Sequence, residues 1–162
     1  MNVDIYPEKA QYITGEPIQL LLECGDKDWQ ELHAKMLIMH LQDKIYEECH
    51  EIPNAVNKIV LKGIDTEFGG YGVFIELYRG DTLICQCHTA FDVVADCTKA
   101  IRYGFLSDFH TVDGLNCEDV SNLRKLHINM VQYYDWSYRH DKLVSDKAVY
   151  KDMMGREVDL DT

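Results

Sequence analysis

The chain has 162 residues, enough for one ordinary domain or for a small domain plus part of another. Hydrophobic residues make up 46% and charged residues 27%, the balance of a folded globular chain. The net charge of −12, with no run of Lys or Arg to relieve it locally, repels a phosphate backbone and argues against nucleic acid as a partner. No apolar run approaches the roughly 20 residues of a spanning helix, so no membrane partner is expected either. The start, Met1-Asn-Val-Asp-Ile-Tyr, has neither the basic opening nor the apolar core of a signal peptide. With Met1 as the native start the chain is expected in the cytoplasm; a trimmed signal peptide would leave its location open.

Residues 1–95 read as strand after strand. Val3–Tyr6 alternates weakly, and Tyr12-Ile-Thr-Gly-Glu-Pro17 is a turn signal. Pro17–Cys24, Ala34–Gln42, Lys44–Ile52 and Val56–Lys62 follow, the last after the Pro53-Asn54 break. Gly69-Gly70 reads as a turn before Tyr71–Tyr78, and Arg79-Gly80-Asp81 as a hairpin before Thr82–Val94. About seven strands at this spacing predict an antiparallel β-sandwich of immunoglobulin-like architecture. The Cys…Trp…Cys hallmark of true immunoglobulin domains is missing, so the expectation concerns architecture alone.

The pattern changes after Val94. Ile101–Phe109 reads as a short apolar strand and Cys117–Leu126 as a helix, with Asn116 able to cap it and Glu118 and Asp119 in its first turn. Ile128–Trp136 is a second apolar strand. Strand, helix and strand in so short a span predict a βαβ unit with parallel pairing. Ser137–Thr162 is polar, and no further strand is expected there. A βαβ unit cannot cover its own sheet, so this part reads as the opening of a larger domain. The predicted division is residues 1–97 and 98–162.

Both predicted strands of that unit end on an acid, Asp108 and Asp135. Parallel neighbours would deliver the two carboxylates to one C-terminal sheet edge, where ligands collect in α/β folds. Each could equally cap the turn that follows it. Around Asp135 stand Gln132, Tyr133, Tyr134, Trp136, Tyr138, Arg139 and His140. Sugar rings have apolar faces that stack on aromatic planes, and hydroxyls that suit carboxylate, amide and guanidinium partners. Such a cluster at a strand end suits a carbohydrate, with Tyr133 and Tyr134 alternatively serving as core residues on opposite sheet faces.

Other chemistries find little support. Six cysteines lie at irregular spacings in a chain without a secretion signal, and are read as free thiols, largely buried. Cys85 and Cys87 should share one face of a strand. Cys85-Gln-Cys-His88 fits no usual zinc spacing, so no metal is expected, and no glycine-rich phosphate loop or nucleophile elbow points to a cofactor or a serine nucleophile.

Four ordered blocks then acquire a shared meaning. Thr89-Ala-Phe-Asp-Val-Val94, Arg102-Tyr-Gly-Phe-Leu-Ser-Asp-Phe109, Leu126-His-Ile-Asn129 and Gln132-Tyr-Tyr-Asp-Trp-Ser-Tyr-Arg-His-Asp141 together resemble glycoside hydrolase family 66. Asp152-Met-Met-Gly-Arg156 resembles the continuation of the same pattern. Cys97 departs from it, where Trp is expected, and so does Ile101, where Pro is common. That family comprises dextranases and cycloisomaltooligosaccharide glucanotransferases. The resemblance implies a mainly β chain: an immunoglobulin-like sandwich followed by the first βαβ segment of an incomplete (β/α)8 barrel.

It further implies α-1,6-glucan or another glucose oligosaccharide as the partner, and retaining chemistry through a covalent glycosyl-enzyme. No cofactor is implied. The nucleophile and the acid/base would come from later barrel strands, so these 162 residues are expected to be inactive alone. Carried over position by position, Asp135 would bond a glucose hydroxyl or orient the nucleophile. Asp108 would face the same cleft, and Tyr134, Trp136, Arg139 and His140 would form its wall. The incomplete barrel face would favour self-association. The rival reading is a stand-alone, non-catalytic β-sandwich that binds carbohydrate or another protein.

Overall fold

A computed structural model describes residues 2–25, 29–66, 68–106, 117–133 and 137–159. The protein is mainly β and divides into two compact units, Met1–Ile101 and Arg102–Thr162.

The first unit is built from β1 (Val3–Pro7), β2 (Gln11–Ile13), β3 (Ile18–Cys24), β4 (Leu32–His40), β5 (Asp43–Glu51), β6 (Val56–Leu61), β7 (Phe68–Arg79) and β8 (Thr82–Val94). They form one sheet in the order β1-β3-β6 and a second in the order β2-β8-β7-β4-β5. Pairing is antiparallel except between β2 and β8, which run parallel. Period-two alternation decides which side of each strand is buried. In β3, Ile18, Leu20, Leu22 and Cys24 turn inward while Gln19, Leu21 and Glu23 do not. Leu32, Ala34, Met36 and Ile38 of β4 and Tyr71, Val73, Ile75 and Leu77 of β7 do the same in the other sheet. All these residues belong to one hydrophobic cluster shared by the two sheets.

Two local expectations need correction. Gly69 and Gly70 are not a turn; they lie within β7, opposite Val93 and Asp92. The reason for glycine is close approach: a Cβ at Gly69 would lie 2.9 Å from the Tyr71 hydroxyl oxygen. The Tyr12–Pro17 turn is preceded by β2, whose three residues are too few to show a period. Gly15 then turns the chain at φ 77°, as the sequence suggests. The hairpin at Gly80 also forms, with Arg79 opposite Thr82.

In the second unit, β9 (Tyr103–Leu106), α1 (Cys117–Lys125) and β10 (Met130–Tyr133) make the expected strand–helix–strand, and the two strands pair in parallel. The register sets Tyr103 opposite Met130 and Phe105 opposite Gln132. Parallel sheets are ordinarily covered on both faces, yet Tyr103, Phe105, Met130 and Tyr133 are all exposed. The helix stops by a Schellman arrangement. The Ile128 amide donates to the Leu123 carbonyl and the His127 amide to that of Arg124, with His127 left-handed at φ 61°. Asn129 then clamps the strand starts: its Oδ1 accepts from the Arg102 amide at 2.9 Å, and its own amide donates to the Arg102 carbonyl at 3.0 Å.

The expectation of no strand after Ser137 is overturned. β11 (Val149–Lys151) and β12 (Glu157–Asp159) form an antiparallel hairpin that buries Tyr150 and Val158. Each strand is three residues long, so periodicity could not reveal it. The signal that was present is the turn itself, where Gly155 at φ 79° closes a Gly155 amide to Asp152 carbonyl bond of 3.0 Å. Among the described residues no helix is long and apolar enough to cross a membrane.

Candidate functional site

The second unit carries an open cleft of about 730 Å³ beyond β10, lined by Tyr138, Arg139, Lys142, Tyr150, Lys151 and Asp152 among others. Its floor is aromatic. The Tyr138 and Tyr150 rings meet edge to face at 5.6 Å, and the Arg139 guanidinium lies 4.8 Å from the centre of the Tyr138 ring. That stacking holds both a flat apolar surface and a fork of N–H donors at the cleft wall.

A tight turn decides the fate of neighbouring residues. The Arg139 amide donates to the Lys142 carbonyl and the Tyr138 amide to that of Leu143, both at 3.0 Å. Arg139 therefore faces the cleft from the base of the turn. His140, at its tip, is exposed and outside the cleft lining. Asp108, Tyr134, Asp135 and Trp136 lie outside the described residues. Of the six residues singled out from sequence, Arg139 is thus the one in the described cleft.

Tyr150 and Asp152 were not singled out, and both matter to its shape. The Asp152 carboxylate is almost fully buried, with Oδ1 accepting from the Met154 and Arg156 amides at 2.9 and 2.8 Å. Oδ2 accepts from the Arg156 guanidinium at 2.7 Å. Burial pushes the carboxyl up, but the Arg156 amide, the Arg156 guanidinium and the Met154 amide outweigh it and hold Asp152 below its ordinary value. Burial and the adjacent Asp152 raise the Tyr150 phenol. The second carboxylate of the lining, Asp146, pairs with Lys142 at 2.5 Å. Both acids have cationic partners, Asp152 as a buried clamp with Arg156 and Asp146 at the surface with Lys142, and the lining offers sugar-sized space, aromatic surface and donors.

Elsewhere, the Cys87 thiol is pushed up to about 12, by burial first and then by Cys85 and Cys24, so it stays protonated and unreactive. Cys85 and Cys87 do share the face that packs on the core. Cys49 and Cys97, however, are exposed, so the cysteines are less uniformly buried than expected. Among the described residues no three His, Cys, Asp or Glu side chains converge to hold a metal.

The family model for glycosyl hydrolase family 66 matches residues 7–162, nearly the whole chain. The chain belongs to glycosyl hydrolase family 66. It is similar to a cycloisomaltooligosaccharide glucanotransferase of Niallia circulans, 27% identical over 98% of this chain and 17% of that relative. A second glucanotransferase of that name from the same organism is 26% identical over 86% of this chain and 15% of its own length. This chain therefore spans less than a fifth of either relative.

The family 66 blocks acquire physical roles in this chain. Thr89–Val94 is the end of β8 that crosses the core, with Phe91, Val93 and Val94 fully buried. Leu126–Asn129 is the helix stop and strand clamp, and Asp152–Arg156 is the bonded turn of the last hairpin.

Proposed function

We propose that this chain supplies the β-layered domain and the opening of the barrel in a dextranase-like enzyme that acts on α-1,6-glucan with retention of configuration. The observation that carries the reading is the family match running unbroken from residue 7 through the parallel β9–α1–β10 unit to residue 162. Parallel strands joined by a helix are the repeating unit of a (β/α)8 barrel. The proposed domains are 1–97, an immunoglobulin-like sandwich, and 98–162, the start of the barrel. The sandwich reading is supported by strand order. An opening strand pair shared between sheets, β1 in one and β2 beside β8 in the other, occurs with the β8-β7-β4-β5 series expected of such domains.

Retaining hydrolysis needs two carboxyls roughly 5–5.5 Å apart, one as nucleophile and one as acid/base. The acids of the described cleft are engaged with Lys142 and Arg156 instead. Arg139 supplies wall and hydroxyl contacts in the cleft, and Trp136, Tyr134, Asp135, Asp108 and His140 are the further substrate-binding residues proposed. These 162 residues alone are therefore expected to release no reducing sugar from dextran in a prolonged digest. Turnover above a heat-treated control would sink the proposal that the catalytic carboxyls lie elsewhere.

The exposed aromatic residues of β9 and β10 support a related expectation. Tyr103, Phe105 and Met130 form one uncovered face of the parallel pair and Tyr133 stands exposed on the other, which favours burial against a second copy. Light scattering should report a dimer or larger species for this chain. A strict monomer at high concentration would count against that, and would favour the rival reading of a self-sufficient binding module.

A further inference from the structure

We infer that the outer face of the five-stranded sheet holds a second carbohydrate site, centred on Phe74 and remote in sequence from the cleft at Arg139. Two neighbouring cross-strand rows build it. The register aligns Glu47, Leu37, Phe74 and His88 in one row, and Lys35, Glu76 and Gln86 in the next. Together they line a groove of about 370 Å³, within the span of about 300–1,000 Å³ usual for small-ligand clefts.

The ring at the centre is presented rather than packed away. Gly72 lies two residues back on the same face of β7, and the Phe74 ring lies over it: a Cβ on Gly72 would be 3.1 Å from the Phe74 ring. Glycine thus lets the ring lie down along the strand, at 47% exposure, instead of standing among taller neighbours. An exposed aromatic plane on a rigid sheet is what the apolar face of a pyranose stacks on. Hydrogen-bonding groups flank it on both sides. Gln86 donates to Glu76 at 2.9 Å and Tyr78 to Glu76 at 2.8 Å, while Lys35 pairs with Glu47 at 3.3 Å. Lys44 and then Lys35 hold the Glu47 carboxyl below its ordinary range, as Tyr78 and then Gln86 hold that of Glu76, so each is ionised at neutral pH and able to accept from sugar hydroxyls.

The same pairing argues for the occupant. On a chain of net charge −12, the two carboxylates of this groove, Glu47 and Glu76, are matched by two ammonium groups, Lys35 within it and Lys44 beside it, the latter paired with Glu47 at 2.5 Å. No surplus charge remains to draw in an anion or a strongly basic partner. A neutral, hydroxyl-rich ligand with an apolar face satisfies the aromatic centre and the polar flanks together. Choosing a glucose oligomer over other sugars rests on the function proposed above; the site itself does not.

The test is a titration of the isotope-labelled 162-residue chain with an α-1,6-linked glucose oligosaccharide, followed by backbone amide shifts. A β-1,4-linked and an α-1,4-linked oligosaccharide are run in parallel. Saturable shifts at Phe74, Glu76 and Gln86 are expected, retained in Arg139→Ala and weakened about tenfold in Phe74→Leu. Leucine keeps the apolar volume, and an unchanged thermal melt separates loss of the ring from loss of the fold. Shifts at Phe74 with the other sugars alone would support the site while removing α-1,6-glucan as its ligand. Shifts confined to Tyr138, Arg139 and Tyr150 would overturn the site and leave the glucan reading standing. No shift at Phe74 with any sugar overturns it too.

Discussion

Phe91→Ala is expected to lower stability by about 3–5 kcal/mol, the usual cost of emptying a fully buried phenylalanine site. Phe91 is completely buried near the end of β8. Its ring stacks on Tyr71 at 5.4 Å and meets Tyr12 edge-on at 5.8 Å, so one side chain ties three strands together. Alanine removes both ring contacts and leaves a cavity that stiff neighbours such as Val73 and Val93 cannot collapse to fill. Since domains hold only about 5–15 kcal/mol in total, the loss is a large share of the whole. Urea unfolding of the full chain, followed through Trp29 against the core, should show a much lower midpoint with little change in slope. Phe91→Leu should recover most of the difference. A loss below about 1 kcal/mol for the alanine variant would contradict the packing described.

The second large effect is expected at Asp152, where Asp152→Ala strands three donors at once. The Met154 amide, the Arg156 amide and the Arg156 guanidinium all lose their acceptor. Unsatisfied donors of this kind cost about 1–3 kcal/mol, and more where charge is involved. The hairpin they close has only three residues per strand, and two-stranded hairpins are marginal in water. The expected result is local opening: faster amide exchange at residues 152 and 155, and loss of the Tyr138–Tyr150 ring contact that floors the cleft.

Acid should mimic the substitution. The native carboxyl lies below its ordinary value of 3.8, so the unfolded chain binds the proton more readily than the folded one. Its contribution is then complete above that value and is lost as the pH falls through the native one. Protection of the residue 155 amide, measured against the intrinsic exchange rate at each pH, should therefore fall below about pH 4 in this chain and be already low in Asp152→Ala. Equal protection in both proteins at neutral pH would overturn the role given to Asp152.

Much of the β-layered unit was legible because burial alternates with period two, and strands of seven or more residues display that period. β3 and β4 are examples: Ile18, Leu20 and Leu22, then Leu32, Met36 and Ile38, declare their inner faces without any tertiary information. The parallel βαβ was legible for a related reason, since a strand, a helix and a strand that close can pair only in that sense. Three-residue strands escape this logic. β2, β11 and β12 exist because a neighbouring strand offers partners, which no local window contains.

Composition and patterning were sufficient for the mainly β character and for the family, whose ordered blocks are properties of the linear chain. Site geometry was decided otherwise. Arg139 and His140 are adjacent in sequence and equally polar, yet a turn bond to Lys142 sends one to the cleft and the other to its outer tip. Asp152 and Arg156 are close in sequence, but only burial turns their pairing into a structural clamp. Glu47, Leu37, Phe74 and His88 come from four strands and meet solely through sheet register. A side chain's type sets what it can bond; its neighbours, its burial and therefore its use depend on contacts between residues far apart in the chain.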